Sequence, residues 1–241
     1  MLFSTPVAHE GAPWGHGVHT MTEPGTIDGI DRVLSTTRTV RRRLDLDRPV
    51  DLEIVRDCLE LALQAPTGGD FQGWRWIVVT DPVVKFRMRD IYLAAHEEAS
   101  GGRRPAEVVG SGDRMLDGAW HLATNLDRVP VLVVACIRGR LTSTSTPAQA
   151  AALYASIYPA VWSLQLALRS RGLTSAMTTV HTERHEAMAE LLGIPEGVTQ
   201  AALIPIAHLL GGDLHPARRR PLFEVAYGDH WGEPWAEASP E

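Results

Sequence analysis

The run Pro130-Val131-Leu132-Val133-Val134-Ala135-Cys136-Ile137 contains no charged or hydrogen-bonding side chain. A continuous run this rich in β-branched residues reads as a central buried strand of a sheet. Toward the N-terminus, Arg114–Leu126 has helical spacing, Val83–Ala99 reads as a helix, and Asp81-Pro82 stops a strand over Trp74–Thr80. Asp51 is an N-cap for a helix over Leu52–Ala65, with apolar residues at Leu52, Val55, Leu59, Ala62 and Leu63, and Pro66 ends it. Ile27–Ser35 is a short amphipathic helix. Toward the C-terminus, Pro147–Arg171 reads as one long Ala/Leu-rich helix closed by Gly172, apolar around most of its circumference and so expected in the core. Leu173–Val180 and Gln200–Leu210 read as strands, separated by a helix over His181–Leu192 with Gly193 at its end. Strands and helices mix without strict βαβ alternation, so the fold class is α+β.

The chain has 241 residues, 44% hydrophobic and 22% charged, with a formal net charge of −6. This length suits one domain with its own core, expected over residues 28–235. Residues 1–27, rich in Gly, Pro, His and Thr, read as a flexible tail, with Met21 an alternative start to Met1, and 236–241 as a second tail. The Gly-rich stretch 99–113 reads as a lid. An acidic balance does not fit a protein that neutralises phosphate backbones, so no nucleic-acid partner is expected. Cys58 and Cys136 both fall in apolar segments and make no secreted disulfide framework. No uninterrupted apolar run approaches the ~18–20 residues that span a bilayer, and no basic-then-apolar leader opens the chain. A cytoplasmic protein without a membrane partner is expected.

Several chemistries lack their residues. There is no GxxxxGK[ST] loop. Gly110-Ser111-Gly112 lacks the third glycine and the preceding strand of a dinucleotide fingerprint. No Gly-x-Ser-x-Gly elbow occurs. His181 and His185 stand one turn apart but lack a third ligand in HExxH order, so they read as two solvent-facing histidines and no metal site is expected.

Four stretches remain: Thr37-Arg38-Thr39-Val40-Arg41-Arg42-Arg43, Ala65-Pro66-Thr67-Gly68-Gly69-Asp70-Phe71-Gln72-Gly73-Trp74, Met177-Thr178-Thr179, and Arg218–Leu222. Singly, each has a plain account as solvated charge, connecting loop or strand end. In this order they resemble the nitroreductase family of FMN-dependent oxidoreductases. That family opens with Arg-Arg-Ser-x-Arg-x-Phe, continues with Ala-Pro-Ser-x-x-Asn-x-Gln-Pro-Trp, and ends with Arg-x-Pro-Leu after an Ile-Pro-Ile-Gly strand. Leu203–Ala207 followed by Arg219-Arg220-Pro221-Leu222 matches the last pair, and Leu192-Gly193-Ile194-Pro195-Glu196 resembles a turn usual in the family.

The resemblance implies a three-layer α/β/α fold with a mostly antiparallel sheet. It also implies an interlocked homodimer with an extended C-terminal arm and two FMN sites at its seam. On this basis Arg38, Thr39 and Arg41 fall on flavin contacts, Arg219 on a late phosphate-binding arginine, and Thr67 and Gly68 on a loop that reaches the partner's flavin. Thr178 and Thr179 fall beside the ring, with Thr179 the expected donor to N5 and the expected catalytic residue. A guanidinium fork suits a phosphate dianion, and positive charge near N1/O2 favours reduced flavin. Thr37, Arg43, Asp70 and Gly73 depart from the family's residues, with Arg42 a candidate to replace a lost phosphate contact. The threonine pair resembles the iodotyrosine deiodinase branch, but that branch's lid pattern of Glu, Tyr and Lys has no match in Val83–Asp113. The implied activity is ping-pong reduction of nitroaromatics, quinones or similar small electron acceptors with NAD(P)H. A biosynthetic or dehalogenating flavoenzyme and a non-catalytic flavin-binding protein are the alternatives.

Overall fold

A computed structural model of the chain describes residues 27–101 and 113–235. The expected C-terminal tail, all but the last residue of the N-terminal one, and 102–112 of the expected lid lie outside them. The elements are α1 (Ile27–Thr36), β1 (Leu44–Asp45), α2 (Leu52–Ala62), β2 (Trp74–Val79), α3 (Pro82–Ala99), α4 (Arg114–Thr124), β3 (Val131–Arg138), α5 (Pro147–Ala155), α6 (Tyr158–Ser170), β4 (Leu173–Ser175), α7 (His185–Leu192) and β5 (Val198–Leu209).

The sheet runs β1-β5-β3-β2, with β4 also paired to β5, and every named pairing is antiparallel. β3 sits between β2 and β5, and its first seven residues are buried. Because side chains alternate along a strand, it feeds two cores. Val131, Val133, Ala135 and Ile137 face Val55, Cys58 and Ala62 of α2 and Val161, Leu164 and Leu168 of α6. Leu132, Val134 and Cys136 face Met88 and Tyr92 of α3, Trp120 and Leu122 of α4 and Met188 of α7. The α+β class and the three-layer arrangement therefore both follow from β3. The two cysteines lie in opposite layers, buried and unpaired.

The caps at Asp51, Gly172 and Gly193 agree with the sequence, and Asp81, beyond stopping the strand before it, caps α3 as well. Asp51 accepts from Glu53 N–H, and Asp81 accepts from Val83 and Val84 N–H. Gly172 (φ +76°) and Gly193 (φ +66°) take the left-handed conformation that ends α6 and α7.

Three expectations need correction. The segment expected as one helix over Pro147–Arg171 is broken into α5 and α6. Pro159 has no N–H to continue the ladder, and Ser156 turns its groups to other partners. Its hydroxyl donates to the Ala152 carbonyl at 2.8 Å and accepts Gly68 N–H at 3.1 Å, while its carbonyl accepts Trp74 Nε1–H at 2.6 Å. Only α6 is buried; α5 has no buried residue. Pro147–Ser170 has the length and hydropathy of a membrane span, but its second half, α6, is buried as the sheet's cover. The strand expected over Leu173–Val180 stops at Ser175 and continues as an isolated bridge from Thr178 to Leu203. The helix expected over His181–Leu192 begins as a 3₁₀ turn, Val180–Arg184.

Ser156 joins helix, loop and strand through one residue. Ser156→Ala removes the hydroxyl that accepts Gly68 N–H and should cost about 0.5–1.5 kcal/mol, read as a lower urea midpoint at unchanged slope.

Candidate functional site

After α1 the chain runs outward over residues 37–43. Thr36 and Thr37 hydroxyls each donate at 2.6 Å to carbonyls of α1, Arg32 and Val33. Thr37 thus finishes a helix in place of the family's arginine. Val40 is buried and its N–H donates to the Ser175 carbonyl at 3.0 Å, which pins the segment against the end of β4.

The four arginines of this segment have different partners. Arg42 pairs with Asp117 of α4, so it is not the free substitute that the sequence suggested. Arg43 is held by the carbonyls of Leu210 and Gly212. Arg38 has its Nε and Nη2 buried without an acceptor, and Arg41 has no hydrogen-bond or ion-pair partner among the described residues. Arg38, Thr39 and Arg41 line one cavity of about 280 Å³ with Arg114, Gly118 and Leu214. A buried guanidinium edge without an acceptor is costly, and an anion with several oxygens is the ligand that relieves it. The cavity therefore fits a phosphate ester such as that of FMN.

Thr178 and Thr179 follow β4 and point to opposite sides. Thr178 is buried, its hydroxyl 2.9 Å from the Tyr92 hydroxyl. Thr179 is exposed and lines a cavity of about 480 Å³ with Arg140, Tyr154, Tyr158, Thr182, His185 and Gln200 among its neighbours. The side chain expected to meet a ligand at Thr178 is thus turned into the core, while that of Thr179 is open. Tyr154 and Tyr158 stack with centroids 5.6 Å apart across the α5–α6 break.

The loop carrying Thr67 and Gly68 sits elsewhere, on the break itself. Thr67 Oγ1 donates to the Phe71 carbonyl at 2.8 Å, and Gly68 N–H goes to Ser156. Gly69 and Asp70 are both left-handed (φ +60° and +56°), a conformation glycine adopts freely and aspartate tolerates. At Gly73 a Cβ would lie 2.5 Å from the Phe71 ring, so glycine here leaves room for that ring. Arg219 lies on the surface with Arg218, Arg220, Pro221 and Glu224. Within one protomer the structure brings Arg38, Thr39 and Arg41 together and ties them to the Thr178–Thr179 segment. Thr67, Gly68 and Arg219 stay apart. After Pro221 the chain makes a 3₁₀ turn, Leu222–Glu224, followed by a bridge from Tyr227 to Pro234.

Two polar groups behind the site, Tyr92 and His96, were not singled out in the sequence, whereas Trp120, His121 and Asn125 were candidates either to line a pocket or to face the core. Tyr92 lies on α3 one turn from Met88 and one from His96, all buried. A tyrosine on an apolar stripe needs a partner for its hydroxyl, and that is the signal by which the sequence could have disclosed it. His96 packs edge-on against Trp120 at 4.5 Å. Burial, and then the Arg41 charge, pull His96 below the ordinary histidine value, and burial pushes the Tyr92 phenol up. Trp120 is core, and Asn125 donates to the His121 carbonyl at 2.9 Å to close α4. Neither lines the cavities described. The two histidines expected to face solvent differ: His185 is exposed, whereas His181 is fully buried, and burial pulls it down to about 4.

The Nitroreductase family profile matches residues 34–208, and the chain belongs to this family. It is 30% identical over 195 residues to a protein named NADH dehydrogenase from Thermus thermophilus, covering 78% of this chain and 90% of that one. It is 26% identical over 196 residues to iodotyrosine deiodinase 1 of Rattus norvegicus, again over 78% of this chain, and spans 65% of that protein's length. Its fold is similar to oxidized iodotyrosine deiodinase bound to FMN and 3-iodo-L-tyrosine, with a TM-score of 0.64 at 22% identity, covering 83% of this chain and all of that one. An FMN- and NADPH-dependent nitroreductase from sphigopyxis sp. strain HMH gives a TM-score of 0.63 at 19% identity over 84% and 99% of the two chains.

The buried His181 sets an acid limit on the fold. Its folded value of about 4 lies below the ordinary 6.5, so between these values the unfolded chain binds a proton that the folded chain refuses. Stability should therefore fall as pH drops from 6.5 to 4, by on the order of 3 kcal/mol, while above 6.5 this residue contributes no slope. Urea unfolding of wild type and His181→Gln at pH 7 and pH 4.5 checks this: the variant should lose less on acidification.

Proposed function

We propose that the chain is an FMN-dependent oxidoreductase that reduces nitroaromatic, quinone or similar electron-poor small molecules with NAD(P)H in a ping-pong cycle. The observation that carries this reading is the division of labour among the arginines of residues 38–43. Two are used up by the protein, and the two on the family's flavin-binding positions, Arg38 and Arg41, have no acceptor among the described residues. When bound, FMN supplies the hydride and electron transfer, and the protein's part is to bind, orient and tune it. Arg38 and Arg41 hold the phosphate and the pyrimidine edge. Thr179 offers a neutral hydroxyl from the open side of its segment, the position from which a donor reaches N5.

The remaining contacts come from a second copy in this reading. Thr67, Gly68 and Arg219 lie away from the arginine cavity, and a homodimer would carry them to the partner's flavin. Leu222, Phe223, Val225 and Trp231, which is 91% exposed, form an apolar surface stretch beside Arg219. Such a stretch suits a C-terminal arm that crosses onto another subunit. Two unpaired thiols in opposite layers suit a reducing, cytoplasmic setting.

Reductive dehalogenation is the second reading, favoured by the open Thr179 hydroxyl in a threonine pair and by the likeness to iodotyrosine deiodinase. Rapid nitrofurazone turnover with NADPH supports the first reading, and slow flavin reduction by nicotinamide supports the second. Mixing the FMN-loaded protein with NADH and NADPH in a stopped-flow cell tests for catalysis itself. Bleaching of the flavin band, restored by an acceptor, excludes a purely flavin-storing role.

The purified protein should be yellow or become so with FMN. Arg38→Ala should weaken FMN binding by about tenfold or more, the weight of a charge-assisted hydrogen bond, and Arg219→Ala should lower occupancy as well. Full colour after gel filtration of both variants would remove these residues from the site.

A further inference from the structure

The hydroxyls of Tyr92 and Thr178 meet at 2.9 Å inside the protein. Thr178 is fixed along its backbone as well. Its N–H donates to the Leu203 carbonyl at 3.0 Å, its carbonyl accepts Leu203 N–H at 2.8 Å, and its Oγ1 accepts Val180 N–H at 3.4 Å. Thr179 comes next with φ −117° and ψ −1°, in the sparsely populated region where many active-site residues sit. Its carbonyl accepts Thr182 N–H at 2.9 Å and the Thr182 hydroxyl at 2.7 Å. Its side chain, on the open side, has no partner among the described residues and lines the larger cavity.

We infer that Tyr92 is a positioning residue, whose hydroxyl holds Thr178 inward and thereby fixes where Thr179 presents its own hydroxyl to a ligand. The inference rests on the flavin reading above. Tyr92 is 2% exposed and touches no ligand surface, so it acts only through Thr178. A phenylalanine would fill the same space among Met88, Trp120 and Leu203; the hydroxyl is the part that packing does not require. Removing it leaves a buried threonine hydroxyl short of a partner, and the residue gains freedom to rotate at the point that sets its neighbour's direction. The charge of Arg41 bears on both Tyr92 and His96, so α3 adjoins both the arginine cavity and the threonine pair.

The test uses FMN-loaded full-length protein and four variants: Tyr92→Phe, Thr178→Val, the double variant and Thr178→Ser. The readouts are the FMN dissociation constant and the flavin midpoint potential. Tyr92→Phe and Thr178→Val should each change the equilibrium constant for two-electron reduction about tenfold in the same direction, or about 30 mV, with FMN affinity within about threefold of wild type. The double variant should shift no further, because each single change removes the same contact, and Thr178→Ser should keep the wild-type potential. A Tyr92→Phe protein with an unmoved potential, or shifts that add in the double variant, overturns the inference. If Tyr92→Phe fails to fold, the contrast between Thr178→Val and Thr178→Ser decides it alone. A chain that takes up no FMN ends the flavin reading and this inference together, whereas a yellow protein with unmoved variants ends only the latter.

Discussion

The amide of Val40 donates to the carbonyl of Ser175, and the site depends on that bond. It joins a segment from the start of the domain to the end of a short strand that is more than a hundred residues away in sequence. With Val40 turned inward, its neighbours Thr39 and Arg41 are left at the cavity. Ser175 is itself held, since Gln165 of α6 donates to its hydroxyl at 3.1 Å. Three residues later the Thr178–Leu203 bridge returns the chain to β5. The central sheet thus supplies an anchored edge, and two irregular stretches are clipped to it by backbone hydrogen bonds.

What makes the arginine segment selective is competition among its own guanidinium groups. A run of cations is ordinarily a solvated face. Here one carboxylate, Asp117, and two carbonyls, those of Leu210 and Gly212, absorb Arg42 and Arg43. The remaining pair is left unsatisfied at a place the backbone holds fixed. Elsewhere the protein meets such demands internally: Asp213 takes Arg32 and Arg169 together, and those hydrogen bonds hold its carboxyl well below the usual range. The contrast separates arginines whose charge the fold itself satisfies from two that have no acceptor among the described residues.

The sheet and its helices were legible because their signals are local: the apolar run at 131–137, the cap at Asp51, the Asp81-Pro82 break, and glycines at 172 and 193. Misreadings arose where a tertiary partner competed with local preference. The apolar stretch over 147–171 has helical composition throughout, and only the calls on Ser156 from Gly68 and Trp74, with Pro159, show why it breaks. His181 looked like a solvent-facing residue because a helical turn was assumed from its spacing; the 3₁₀ turn it occupies rolls it into the core. For the site, motif order pointed to Arg38, Thr39, Arg41 and Thr179, and all four line cavities. It placed Thr178 in the same role, although alternation at the strand end sends neighbouring side chains to opposite sides. Tyr92 stayed hidden because its meaning lies in a contact 86 residues away.

The cations lining the smaller cavity are all guanidinium groups, and lysine occurs in the chain once, at Lys85, buried with its amine on the Val129 carbonyl at 2.8 Å. Guanidinium keeps its charge wherever a fold survives. Neither acid nor alkali can therefore switch the cavity off from the protein's side. Should a phosphate ester leave it on acidification, the event would report proton uptake by the ester, or loosening of the surrounding shell, rather than a gate built into the pocket.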